Sequence, residues 1–178
     1  MYNGGSIKTW EEHFPCARVA GIDRKLPALD VSQRVRLYEG DQADVNLLAQ
    51  VAAEVAPNGF DIIIDDCAHI GALAKTSFWC LFDNHLRPGG LYCIEDWTTG
   101  FWPTWPDGHE YVAEPDTERH MPSHDGGMIG FIKQLVDEVG AADIKDSDTA
   151  VSTRESKFAE ISLHFGVCIV KKAFLGVA

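Results

Sequence analysis

FDIIIDD, residues Phe60–Asp66, is an unbroken β-branched run closed by two acids. That composition predicts a strand covered on both faces. Working outward, Gly71–Asn84 reads as a helix, and Leu91–Asp96 (LYCIED) as a strand preceded by the turn Arg87–Gly90 (RPGG). Upstream, Asp44–Ala56 has apolar residues at Val45, Leu48, Val51, Ala52 and Val55, a helical spacing that Pro57 closes. Arg18–Asp23 and Arg34–Gly40 read as two more strands. Downstream, Gly127–Val139 is an amphipathic helix. Phe158–Phe165 and Val167–Ala173, joined at Gly166, read as an antiparallel hairpin. Strand–helix alternation predicts an α/β fold, a mostly parallel sheet with helices on both faces and an antiparallel hairpin at the C-terminal end.

The chain has 178 residues, room for one domain. Apolar residues are 46% and charged residues 24%, an ordinary globular balance. The net charge of −12 argues against a nucleic-acid or anionic-membrane partner, since phosphate binding needs clustered Lys and Arg. It leaves room for a cation or a small polar substrate. Cys16, Cys67, Cys80, Cys93 and Cys168 form no CxxC pair, which points to a reducing compartment without a disulfide framework or zinc knuckle. No signal peptide or membrane-spanning apolar run is visible, so a cytoplasmic protein is expected, alone or as a homo-oligomer.

In open sheets of this kind ligands lie at the carboxyl ends of the strands. Four of the strands end in acid. Asp23 suits the two hydroxyls of a ribose, or else caps a turn. Asp41-Gln42 could read an adenine edge, because an amide offers both a donor and an acceptor; Asp41 could equally cap the next helix. Asp65-Asp66 and Glu95-Asp96 end two strands expected to be neighbours, about 4.8 Å apart. Carboxylates that converge this closely repel one another unless a cation neutralises them, and all-oxygen ligation favours magnesium, calcium or manganese. The plainer alternative is that some cap helices and the rest face solvent.

His69 follows Asp66 by three residues, at the mouth of the same cleft. A lone histidine is often structural, but beside a cation an imidazole can take a proton from a hydroxyl whose pKa the cation has lowered. Gly4-Gly5-Ser6 precedes a short helix, with glycines that let backbone amides approach a ligand and Ser6 as a good N-cap. Residues 97–125 hold four of the eight prolines and three of the five tryptophans, without a period. Such a stretch suits a lid or binding loop. Trp97, Phe101, Trp102 and Trp105 are expected to border the cleft, and His124 and Asp125 could enter it from the same loop.

These pieces, in this order, resemble the metal-dependent class I methyltransferases that tailor natural products. That group includes the macrolide-sugar O-methyltransferases of the mycinamicin and tylosin pathways and the proteins called cephalosporin hydroxylases. The resemblance rests on YNGGSIKTW (Tyr2–Trp10), AGID (Ala20–Asp23), EGDQAD (Glu39–Asp44), FDIIIDDCAH (Phe60–His69), LRPGGLYCIEDW (Leu86–Trp97) and SHDGGMIGFIKQLVDE (Ser123–Glu138). It implies a Rossmann-like methyltransferase sheet and methyl transfer from S-adenosylmethionine to a hydroxyl of a sugar or glycosylated small molecule. Gly4, Gly5, Asp23, Asp41, Gln42 and Asp65 would then line the S-adenosylmethionine pocket. Asp66, Glu95 and Asp96 would hold Mg2+, and His69 would be the base. The chain departs from the family's Asp-Asp-Gly-Ser-His at Cys67 and Ala68, and lacks its Glu-x-Gly on the first strand. Competing readings are an oxidoreductase and a non-catalytic binding domain.

The resemblance carries one more expectation. The first strand of this fold lies between those ending at Asp23 and Asp66. The chain opens at Met1–Gly5, where the loop after that strand should be. The chain is therefore expected to be a fragment, with a gap between 19–23 and 61–65.

Overall fold

The computed structural model of the chain describes residues 4–109, 124–145 and 154–174. Its elements alternate as the sequence predicts. Helix α1 (Gly5–His13) is followed by β1 (Val19–Asp23), β2 (Val35–Glu39), α2 (Val45–Val55), β3 (Phe60–Asp65), α3 (Gly71–Asn84) and β4 (Leu86–Glu95). A 3-10 turn (Trp97–Phe101) and the short α4 (Pro106–His109) lead to α5 (Gly127–Val139), and β5 (Phe158–His164) and β6 (Val167–Lys172) close the order.

β1 and β2 pair in parallel, as do β3 and β4. β6 then runs antiparallel to β4, and β5 antiparallel to β6. Gly166 turns that hairpin at φ 74, a left-handed conformation that costs glycine little. The strands form two sheets, β1-β2 and β3-β4-β6-β5. Among the described residues no ladder joins β1 to β3.

The main core lies where α3 and α5 cover the four-stranded sheet. α3 contributes Ala74, Phe78 and Phe82, four residues apart and therefore on one face. α5 contributes Met128, Phe131, Ile132 and Leu135 at helical spacing. Tyr92 and Ile94 meet them from β4, Cys168 and Val170 from β6. Both pairs obey the two-residue alternation of a strand. Phe78 and Phe82 stack with ring centroids 4.9 Å apart. Each such side chain contributes roughly 1.5–3 kcal/mol when fully buried.

Three local expectations change. Ile62 is 42% exposed, so β3 is not covered on both faces; it is the edge of its sheet among the described residues. The turn at Arg87–Gly90 does not precede β4 but lies inside it. The register passes from Phe60↔Leu86 to Ile62↔Leu91, so those residues bulge opposite Asp61, and Arg87 pairs with Asp61 across the bulge. The cap of α1 is Gly4 at φ 76, not Ser6. No described helix is long and apolar enough to cross a membrane.

Candidate active site

The carboxyl ends of β3 and β4 bring three side chains to one point. His69 Nε2 lies 3.7 Å from Asp66 Oδ1 and 3.9 Å from Asp96 Oδ2. One ligand atom of each residue lies within 4.8 Å of the others. The parallel register places Asp65 opposite Ile94, so the acids that follow fall side by side. Glu95, the remaining acid of the expected metal set, lies outside this closest cluster. It still feels the cluster: burial first, then the charges of Asp66 and Asp96, push its carboxyl above the usual range. Burial likewise raises Asp66, with Asp96 adding to the rise and His69 opposing it.

His69 and Asp96 are also the described non-glycine residues with positive φ, at 50° and 53°. Left-handed backbone strains an L-residue, and such strain gathers at functional sites. Thr99 holds Asp96 in place: its amide and its hydroxyl both donate to the Asp96 carbonyl, at 3.0 and 2.8 Å. Sequence reading had no access to either conformation, since neither position is a glycine.

The expected cofactor residues fall at the start of α1 and at or just past the ends of β1, β2 and β3. Gly4 is tightly enclosed, and a Cβ there would meet Leu29 Cδ2 at 2.3 Å. Gly5 opens α1. Asp23 accepts from the Lys25 amide at 3.1 Å, closing the turn after β1. Asp41 accepts from the Ala43 amide at 2.9 Å and from Arg24 at 2.6 Å. Those contacts, the amide first, hold its carboxyl below the usual range despite some desolvation. The cap of α2 is Asp44, whose Oδ1 accepts from Asn46 and Leu47.

Gln42 turns inward. Its Oε1 accepts the Ala68 amide at 2.9 Å, and its Nε2 donates to Asp65 at 3.4 Å. Asp65 is 7% exposed and accepts from Ser77 at 2.8 Å and Tyr92 at 3.2 Å. Burial raises its pKa, and these donors oppose the rise. The structure thus joins Asp65 to the core, beneath the cluster rather than within it.

Of the aromatic residues, Trp105 borders the cluster, its ring centroid 5.7 Å from that of His69. Trp102 packs edge-on to Trp105 and is 49% exposed. Trp97 joins the core instead, because the 3-10 turn folds it back onto the hairpin, where its Nε1 donates to the His164 carbonyl. Phe101 packs near His124, and Asp125 pairs with Lys133. Residues 110–123 of the expected loop lie outside the described residues.

No protein-family model matches the chain. Over 172 residues it is 33% identical to the mycinamicin VI 2''-O-methyltransferase of Micromonospora griseorubida, an alignment spanning 96% of this chain and 40% of that one. It is 31% identical, with the same coverage, to the demethylmacrocin O-methyltransferase of Streptomyces fradiae. The crystal structure of the MycE methyltransferase of mycinamycin biosynthesis, in complex with Mg and SAH, superposes with a TM-score of 0.75 at 32% identity, over 96% of this chain and 41% of that one. The chain is homologous to these sugar O-methyltransferases. Its fold is the Rossmann-like methyltransferase fold, and it spans about two fifths of the length of the relatives it matches.

Among those relatives, the same MycE methyltransferase has been solved with Mg, SAH and mycinamycin VI together, at 34% identity to this chain. Two residues that sequence reading passed over, Thr99 and Asp107, secure the backbone around this chain's cluster. Neither belongs to a recognisable motif. Only their hydrogen bonds, to Asp96 and to the starts of α3 and α5, reveal them.

Proposed function

We propose that this chain carries out divalent-cation-assisted transfer of a methyl group from S-adenosylmethionine to a hydroxyl of a sugar or glycosylated natural product. The convergence of Asp66, His69 and Asp96 at the ends of adjacent strands carries this reading. The donor chemistry fits a hard cation: two carboxylates sit close enough to repel, with a third, Glu95, raised by burial and then by the same charges. Asp66 and Asp96 hold the cation, with Glu95 alongside. Bound there, Mg2+ lowers the pKa of the acceptor hydroxyl.

Gly4, Gly5, Asp23, Asp41, Gln42 and Asp65 form the side on which S-adenosylmethionine rests, the last two by shaping the floor. His69 takes the hydroxyl proton at Nε2. The freed oxygen pair forms the new O–CH3 bond, and the sulfonium carbon–sulfur bond breaks, leaving S-adenosylhomocysteine. Trp105 covers one side of the imidazole and keeps water from it. The cluster has one histidine and two carboxylates, the reverse of the two-histidine set of a non-haem iron oxygenase.

The test is S-adenosylhomocysteine release from S-adenosylmethionine, Mg2+ and a panel of glycosylated acceptors. His69→Ala should lower turnover by roughly 10²–10⁴ and leave cofactor affinity nearly unchanged. Equal loss of cofactor affinity, or turnover that survives the substitution, overturns the assignment.

A further inference from the structure

We infer that Trp105 and Gln42 are positioning residues for His69, acting by gripping Ala68 from opposite sides. The inference rests on the reading of His69 as the base. The Ala68 amide donates to Gln42 Oε1 at 2.9 Å, and the Ala68 carbonyl accepts from Trp105 Nε1 at 3.3 Å. That carbonyl belongs to the peptide unit about which the φ of His69 turns. Fixing its plane therefore fixes where the imidazole points. His69 needs such a hold, because its φ of 50 is one that a histidine leaves readily when unconstrained.

The grip reaches further along the loop. Two residues past His69, the Gly71 amide donates to Asp107 Oδ2 at 2.6 Å, so Trp105 and Asp107 secure the loop from one short segment. Gln42 comes from the opposite side, the β2–α2 connection, where its Nε2 also reaches Asp65 and Ser77 at 3.4 and 3.5 Å. Ala68 is thus held between the cofactor side and the aromatic side of the cleft. The Trp105 ring lies against the His69 ring at an interplanar angle of 47°, so the same residue sets the backbone and limits the side chain. The imidazole side chain is only 11% exposed, although both carboxylates beside it are open.

Trp105→Phe keeps the ring and removes the N–H; Gln42→Met keeps the length and removes the amide. Each should lower kcat about 3- to 10-fold, the effect of one hydrogen bond, and in Trp105→Phe the melting temperature and KM for S-adenosylmethionine should stay nearly unchanged. Two readouts do not need turnover. In Gln42→Met the Ala68 amide should exchange its hydrogen faster, and in Trp105→Phe the His69 amide resonance should shift. If the wild-type protein releases no S-adenosylhomocysteine, the proposed function fails, and these two readouts alone decide the grip. Unchanged exchange and resonance overturn it. So does a fall in kcat of Trp105→Phe matched by equal changes in KM and melting temperature, which marks a merely structural role.

Discussion

Asp107 accepts the backbone N–H of Gly71 at 2.6 Å, and with the same oxygen it accepts that of Met128 at 2.7 Å. One carboxylate thus caps α3 and α5 where they meet. The helices approach so closely that a Cβ on Gly71 would lie 2.2 Å from the Gly127 carbonyl carbon. The first turns of helices carry unpaired N–H groups and partial positive charge, which a carboxylate satisfies. Replacing an N-cap by Ala costs about 0.5–2 kcal/mol per helix. Asp107→Ala should therefore cost about 1–3 kcal/mol in urea unfolding, and Asp107→Asn less. A change within about 0.5 kcal/mol would show that water replaces the carboxylate at both helices.

Divalent cation should stabilise the protein, and Asp66→Asn or Asp96→Asn should remove the effect. Asp66 and Glu95 have raised pKa values, through burial first; the charge of Asp96 adds to both rises and that of Asp66 to the rise of Glu95, while His69 opposes them. A carboxyl raised in the folded state favours folding only while protonated. That stability is present below its unfolded value and is lost as pH rises through the folded one. Near neutral pH the cation-free protein therefore bears the repulsion that a cation relieves. Mn2+ at a hundredfold excess over its Kd should add about 2.7 kcal/mol, several degrees in Tm. The shift should shrink as the carboxyls protonate in mild acid. A shift that persists in both variants would place the cation elsewhere.

Asp65→Ala should destabilise the core through Tyr92. The Tyr92 side chain is fully buried and donates to Asp65, whereas Ser77 also reaches the Leu73 and Ala74 carbonyls. A stranded buried donor costs about 1–3 kcal/mol. Adding Tyr92→Phe should recover part of that loss, because no donor is then left unpaired. Calorimetry of the single and double variants measures the coupling. Strict additivity would argue against the contact.

Glu138, 8% exposed on α5, accepts from both Arg154 nitrogens at 2.6 and 2.5 Å and from the Lys157 amide at 2.9 Å. Arg154 first holds its carboxyl below the ordinary 4.5, with burial opposing. A depressed carboxyl contributes stability above its unfolded value and loses it as pH falls through the folded one. Stability should fall as pH drops below about 4.5, and Glu138→Gln should flatten that limb while costing about 1–2 kcal/mol at neutral pH. Parallel acid limbs for variant and wild type would assign the transition to other groups.

The sequence by itself determined the elements and the end of the sheet at which the acids and His69 gather. The helices read at Gly71–Asn84 and Gly127–Val139 have the bounds the structure shows, and the apolar residues that each buries, Phe78–Phe82 and Met128–Leu135, repeat at helical spacing. Asp66, His69 and Asp96 were legible because parallel neighbours end together. The membership of the tight cluster was not legible. Glu95 and Asp96 are adjacent, and only the left-handed turn at Asp96 decides which carboxylate meets His69. Asp65 looked like a partner of Asp66 but points into the core, since consecutive strand residues face opposite ways. The roles of Trp105 and Asp107 lay wholly in the tertiary structure. Each bonds to backbone more than thirty residues away, at Ala68 and Gly71, and a backbone amide or carbonyl carries no mark in a sequence.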